Sequence, residues 1–214
     1  MGWADTDAMR RYNGLPLENS DPNYESDGVL DYYLSQAEYA VRPDVMTLVR
    51  DDQMSGNING SNTEFYLSRY PISDQNFDKS INFHDVTCYG WGDLDNFLTK
   101  TSIATTSINS REGRVVLTSA PSSTFEAITC DYYYSLYEID FNLLELATAY
   151  LAGWTYFTAR YMEVPSNVRI GAQAYRMESP AEKAWMAYLR TMSRIKTELI
   201  SSSSRKGIRL NRPY

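Results

Sequence analysis

Apolar residues recur along the chain in two rhythms, one of three to four residues and one of two. From Val29 to Val41, Leu30, Tyr33, Leu34, Ala37 and Val41 fall at helical spacing, with Asp27 as the N-cap. Arg42-Pro43 is expected to close this helix, because the residue before a proline is pushed out of the α region. Val45–Val49 then reads as a strand or a short helix. Between Thr63 and Tyr70, Phe65, Leu67 and Arg69 alternate with Glu64, Tyr66 and Ser68, predicting a strand that stops at Pro71. Ile81–Trp91 repeats the alternation, and Ile103–Ile108 leads toward a turn at Glu112-Gly113.

The segment from Arg111 to Tyr161 carries the strongest signal. The β-branched run Gly113-Arg114-Val115-Val116-Leu117 ends at Ser119-Ala120-Pro121, where proline cannot donate to a ladder. Ile128, Cys130, Tyr132 and Tyr134 then alternate with Thr129, Asp131 and Tyr133. Two antiparallel strands with a helix behind them are expected. That helix holds Phe141, Leu143, Leu144, Leu146, Ala147, Tyr150, Leu151, Trp154 and Phe157 with Asp140 as N-cap. It is apolar on most sides and must be surrounded. Val164–Tyr175 reads as a short extended return. Ser179-Pro180-Ala181-Glu182 is a capping box with proline at the first helical position. The helix it opens sets Trp185, Leu189, Met192 and Leu199 on one face and ends at Ser201–Ser204.

The expected architecture is therefore α+β: a bundle of about three helices, with a small antiparallel β-sheet inserted between the first and second helix. Three divisions follow: residues 1–27 as a polar, turn-rich N-terminal arm, 28–200 as the folded domain, and 201–214 as a basic C-terminal arm. The last contains Arg205, Lys206, Arg209 and Arg212 without an acid, and alternates Ile208 and Leu210 around Arg209 before Tyr214.

Composition narrows the function classes. The formal charge of −7 lacks the basic balance of a general nucleic-acid binder. The 18 tyrosines supply apolar area with a polar tip, which suits partly wet interfaces. Two cysteines, Cys88 and Cys130, both lie in predicted strands and can face one another; they are read as free buried thiols. With one histidine they are too few for a zinc site, and no metal or cofactor is expected. No run approaches the roughly 20 apolar residues of a membrane span, so no membrane is expected as a partner.

Candidate chemistry is thin. His84, Asp85 and Cys88 are the one grouping with nucleophilic potential, yet four residues of strand separate His84 from Cys88 by roughly 13 Å. Asp93-Leu94-Asp95-Asn96 opens like a calcium loop but continues with Phe97, without the required Gly and Glu. Phosphate loops and nucleophile elbows are absent, and the chain reads as a non-enzyme.

The order Gly113–Leu117, Ser119-Ala120-Pro121, Asp131-Tyr132-Tyr133-Tyr134, then helix, resembles the head-to-tail adaptor (connector) proteins of tailed bacterial and archaeal viruses. The resemblance spans roughly Val29 to Leu199 and is structural rather than catalytic. It implies a virion neck protein, assembled in the host cytoplasm. Such a protein forms a homo-oligomeric ring, twelve-fold in that family, between the portal protein and a tail or stopper protein, with DNA only in transit. It also implies that Arg205, Lys206, Ile208, Arg209, Leu210, Arg212 and Tyr214 form a portal-binding arm that adds a strand to its partner. The alternatives are a tail-completion or stopper protein and a small hydrolase using His84.

Overall fold

The computed structural model describes residues 2–93, 98–135, 140–160, 167–170, 173–176 and 179–205, with side chains left undescribed at 98–99, 167–170, 173–176 and 198–205. Two compact units emerge: Met1–Val41 with Ile139–Tyr214, and Arg42–Glu138. The boundaries expected at residues 27/28 and 200/201 do not coincide with this division.

The first unit holds α1 (Thr6–Asn13), most of α2 (Asp27–Val45), α3 (Phe141–Arg160), the hairpin β8 (Asn167–Ile170) and β9 (Gln173–Arg176), and α4 (Pro180–Arg205). The turn-rich segment 1–27 contributes a capped helix rather than only loops. The Asp5 carboxylate accepts from the Ala8 amide at 2.7 Å, and Gly14 closes the other end at φ 68. An eight-residue helix is marginal alone. Packing holds it: Trp3 and Met9 are fully buried, and Asn13 donates to the carbonyl of Ala149 on α3 at 2.8 Å. Arg10 is buried as well, donating to the carbonyls of Pro16 and Glu25 and to the Asp27 carboxylate while lying over the Tyr24 ring. One guanidinium thus ties the segment between α1 and α2 into the unit.

α3 has the expected extent and is buried on most sides, with Asp140 capping it through the Asn142 amide at 2.9 Å. The capping box of α4 is present, Ser179 and Glu182 exchanging bonds of 3.1 Å in each direction. The buried face of α4 is Ala184, Tyr188, Thr191, Met192 and Ile195, and Trp185 meets Trp154 of α3 at 4.7 Å between centroids. Leu189, expected on that face, is exposed.

Among its described residues, the regular structure of the second unit is β apart from the end of α2 and one 3-10 turn at Phe83–Asp85. A four-stranded antiparallel sheet runs β1 (Thr47–Gln53), β7 (Ala127–Tyr134), β3 (Val86–Asp93), β4 (Leu98–Ile103). A three-stranded antiparallel sheet runs β2 (Glu64–Tyr66), β6 (Arg114–Leu117), β5 (Thr105–Asn109). Both sheets feed one core containing Phe65, Leu67, Val86, Cys88, Val115, Leu117, Ile128, Cys130 and Tyr132. β4 and β5 are nearly continuous, so this stretch of chain leaves one sheet and enters the other at Ala104, whose carbonyl accepts from Thr118.

The expected architecture is corrected on three points. The class is α+β, but the chain has four helices among its described residues, not about three. The insertion lies between the two helices expected to flank it, now α2 and α3 because α1 precedes them, but consists of seven strands in two sheets rather than one small sheet. The strands Arg114–Leu117 and Ala127–Tyr134, expected to pair, belong to different sheets. Alternation reports which face of a strand is buried and is silent about its partner. Two helix ends also move: α2 continues through Pro43 to Val45, and α4 continues through the serine run to Arg205. Proline within the last turn removes few intrahelical bonds.

Candidate assembly surfaces and side-chain clusters

Buried residues of α2 fall on one stripe, Leu30, Leu34, Ala37, Val41 and Val45, so the opposite stripe faces outward. It carries Val29, Tyr32 and Tyr39, the two tyrosines 62% and 64% exposed. On α4 the outward side holds Met186 and Leu189. Val29 and Tyr32, three apart, are neighbours on that side, and Tyr39 lies two turns further along it beyond the exposed Ser35 and Gln36, whereas isolated exposed apolar side chains need no explanation. In the second unit, Leu48, Tyr66, Tyr70 and Phe83 are exposed singly on separate elements.

Of the residues assigned to the partner-binding arm, Arg205 is the last residue of α4, with its side chain undescribed. Lys206, Ile208, Arg209, Leu210, Arg212 and Tyr214 lie outside the described residues.

The trio of nucleophilic potential does not converge. His84 sits on the 3-10 turn rather than a strand, is exposed, and packs its ring on Phe83 at 4.1 Å between centroids. Asp85 is buried and points elsewhere, accepting from the amides of Gln75 at 2.7 Å and Asn82 at 2.8 Å. Burial holds its carboxyl above the ordinary 3.8, the two amides opposing that shift. Cys88 is in the core, its sulfur 3.5 Å from that of Cys130. Nothing in this geometry lets His84 take a proton from the thiol by a route the structure shows.

The loop before that turn escaped the sequence reading. Asp74, Asn76, Asp78, Ser80, Asn82 and Asp85 occupy relative positions 1, 3, 5, 7, 9 and 12, the spacing by which oxygen-ligand loops present their donors. Position 6, glycine in such loops, is Lys79 in the left-handed region at φ 64, and Asp85 stands where glutamate is usual. The carboxylates close on the loop's own amides: Asp74 accepts from Lys79 at 2.9 Å and Asp78 from Ser80 at 2.8 Å. Among the described residues no group of three or more His, Cys, Asp or Glu is placed to hold a metal ion. The hydrophobic pattern carries no signal of this loop, and the strand expected from Ile81 overlaps only its last residues.

A second polar cluster lies on the four-stranded sheet. Asp51, at φ 50 in a bulge of β1, receives Lys100 at 2.6 Å and donates its amide to Asp131 at 2.7 Å. Lys100 also rests over the rings of Tyr89 and Trp91. This arrangement links β4 to β1 and β1 to β7 through side chains. No helix among the described residues is long and apolar enough to cross a membrane.

The fold is thus a helical unit whose chain is interrupted by a two-sheet antiparallel insertion. No protein-family model matches this chain, and no curated protein matches it significantly.

Proposed function

We propose that this chain is a structural protein of the head-to-tail connector of a tailed virus, forming a ring that joins portal to tail and lets DNA pass. One observation carries the reading: α2 presents Val29, Tyr32 and Tyr39 on its outward side, opposite its buried Leu30, Leu34, Ala37 and Val41. Tyrosine is enriched at protein contacts, where its ring contributes area and its hydroxyl tolerates residual water. Support also comes from the resemblance of the Gly113–Leu117, Ser119–Pro121 and Asp131–Tyr134 order to the adaptor family, and from a net charge of −7 that would keep DNA from adhering to a channel wall. In a ring each copy meets its neighbours through two different surfaces, a heterologous contact that closes by rotation. The α2 stripe serves as one of them, twelve copies being what the family resemblance implies.

The test is assembly with the portal protein of the same virus, followed by mass photometry and electron microscopy. Wild type is expected to form a closed ring on the portal. The Tyr32→Asp, Tyr39→Asp double variant, changed only at exposed positions, should keep its circular dichroism spectrum and melting temperature but lose ring formation at least tenfold in concentration. Rings formed by the variant at the wild-type concentration would remove α2 from the interface. Failure of the wild type to associate with portal at all would remove the connector reading.

A further inference from the structure

Strands β3 and β7 are the two central strands of the four-stranded sheet, and in their register Cys88 stands directly opposite Cys130. Both are free thiols, 1% and 0% exposed, and their sulfurs are 3.5 Å apart. Directly opposed residues on antiparallel strands have Cα atoms about 4.5–5.5 Å apart, inside the roughly 4.4–6.8 Å that a disulfide spans. A bond of about 2.05 Å therefore requires the sulfurs to approach by roughly 1.5 Å, a side-chain adjustment with no change of strand pairing. Any other partner would have to enter the core, where Val86, Ile128 and Tyr132 belong to the same cluster as the pair.

We propose that Cys88 and Cys130 are a redox-convertible pair, closed by hydrogen peroxide into an intrachain disulfide that staples β3 to β7. Peroxide is small enough to reach a site that a bulky thiol reagent cannot enter without opening the sheet. Cys88 is the attacking sulfur. The hydrogen-bonded contact between the two sulfurs holds the Cys88 pKa down, and that same contact, together with burial, pushes Cys130 well up. Thr105 adds a hydroxyl donor at 3.5 Å. The Cys88 thiolate attacks one peroxide oxygen, the O–O bond breaks, and the departing hydroxide takes up a proton to leave as water, giving a sulfenic acid. Cys130 then attacks the Cys88 sulfur. The S–O bond breaks, the hydroxyl group accepts the Cys130 proton, and a second water leaves. Two thiols lose two electrons in all, and one peroxide gains them. The pair bridges residues 42 apart in sequence, so closure also restrains a long loop of the unfolded chain. This inference is independent of the connector reading and holds whether or not the chain assembles.

The experiment exposes the full-length protein to millimolar hydrogen peroxide and then blocks remaining thiols under denaturing conditions for intact-mass and peptide analysis. The expected product is a monomer about 2 Da lighter, with neither thiol alkylated, one peptide pair linking residues 88 and 130, and full reversal by dithiothreitol. Its melting temperature should rise by on the order of 10 °C. The Cys130→Ala variant, and Cys130→Val should alanine leave the sheet unfolded, is expected to show no such rise under peroxide. Survival of both thiols, oxygen added without a link, a link between two chains, or an equal rise in the variant would each overturn the proposal.

Discussion

At Gly153 the usual rule of helix propensity reverses sign. Glycine inside a helix is ordinarily less favourable than alanine by about 1 kcal/mol, so replacement should help. Gly153, however, lies on the buried face of α3, and a Cβ there would run into the side-chain amide of Asn13. That amide has no freedom to retreat, since it is held by bonds of 2.9 Å to the Met9 carbonyl and 2.8 Å to the Ala149 carbonyl. Gly153→Ala is therefore expected to destabilise the protein by about 1–3 kcal/mol, as overpacking does, measured by urea denaturation. Combining it with Asn13→Ala, which removes the obstructing group, should recover part of the loss. Additive effects would show that the two positions do not meet. Nothing in the sequence marks this glycine, because its constraint comes from a residue 140 positions away by numbering. The cysteines were partly legible: their strand positions could be read, while their face-to-face register could not.

At the level of elements, legibility followed locality. α3 and the opening of α4 were readable because their signals, an apolar run and a capping box, are complete within a few residues. α1 was missed because Asn13-Gly14 looks like a turn, when the glycine in fact supplies the left-handed residue that ends a helix. The loop from Asp74 to Asp85 was missed because its oxygen side chains bind backbone amides, and that pairing has no signature in the hydrophobic pattern. Its closing residue allows a pH test. The two Asp85 carboxylate oxygens accept from Gln75 and Asn82, so Asp85→Asn loses one acceptor and should destabilise the second unit. Burial raises the folded-state pKa of Asp85 above its ordinary 3.8. A raised value means that the folded protein binds this proton more tightly than the unfolded chain. The contribution of this group is complete below the unfolded value and declines as pH rises through the folded one. The stability advantage of wild type over Asp85→Asn should accordingly narrow as pH rises from about 4 toward neutrality, in thermal melts at constant ionic strength. An advantage that widens over that range would mean the two amide bonds outweigh burial and hold the carboxyl below its ordinary value.

For the whole molecule, the decisive relation is where the insertion begins and ends. Thr47, the first residue of β1, is paired with Tyr134, the last residue of β7, so the chain enters and leaves the second unit at adjacent points of one ladder. Close ends are what let a domain sit inside another chain without disturbing its host. The buried residues of the shared core lie between Met54 and Tyr132 in sequence, with Val49 and Tyr134 packed against them. The connecting pairs are distant in sequence, β1 with β7 and β3 with β7, which is why a period-two reading found most strands yet gathered them into a single small sheet. Non-local pairing also makes this the slower part of the chain to fold. A fragment of residues 42–135 should therefore fold alone, with a cooperative urea transition and dispersed amide resonances. Its transition should disappear with Phe65→Ala, because this buried ring fills the space between the sheets, and truncations of this kind cost about 3–5 kcal/mol, a large share of what a domain of this size has to lose. A fragment without a cooperative transition would mean that the two sheets depend on the helical unit for their stability, and that the adjacency of Thr47 and Tyr134 reflects the path of the chain without an autonomous fold behind it.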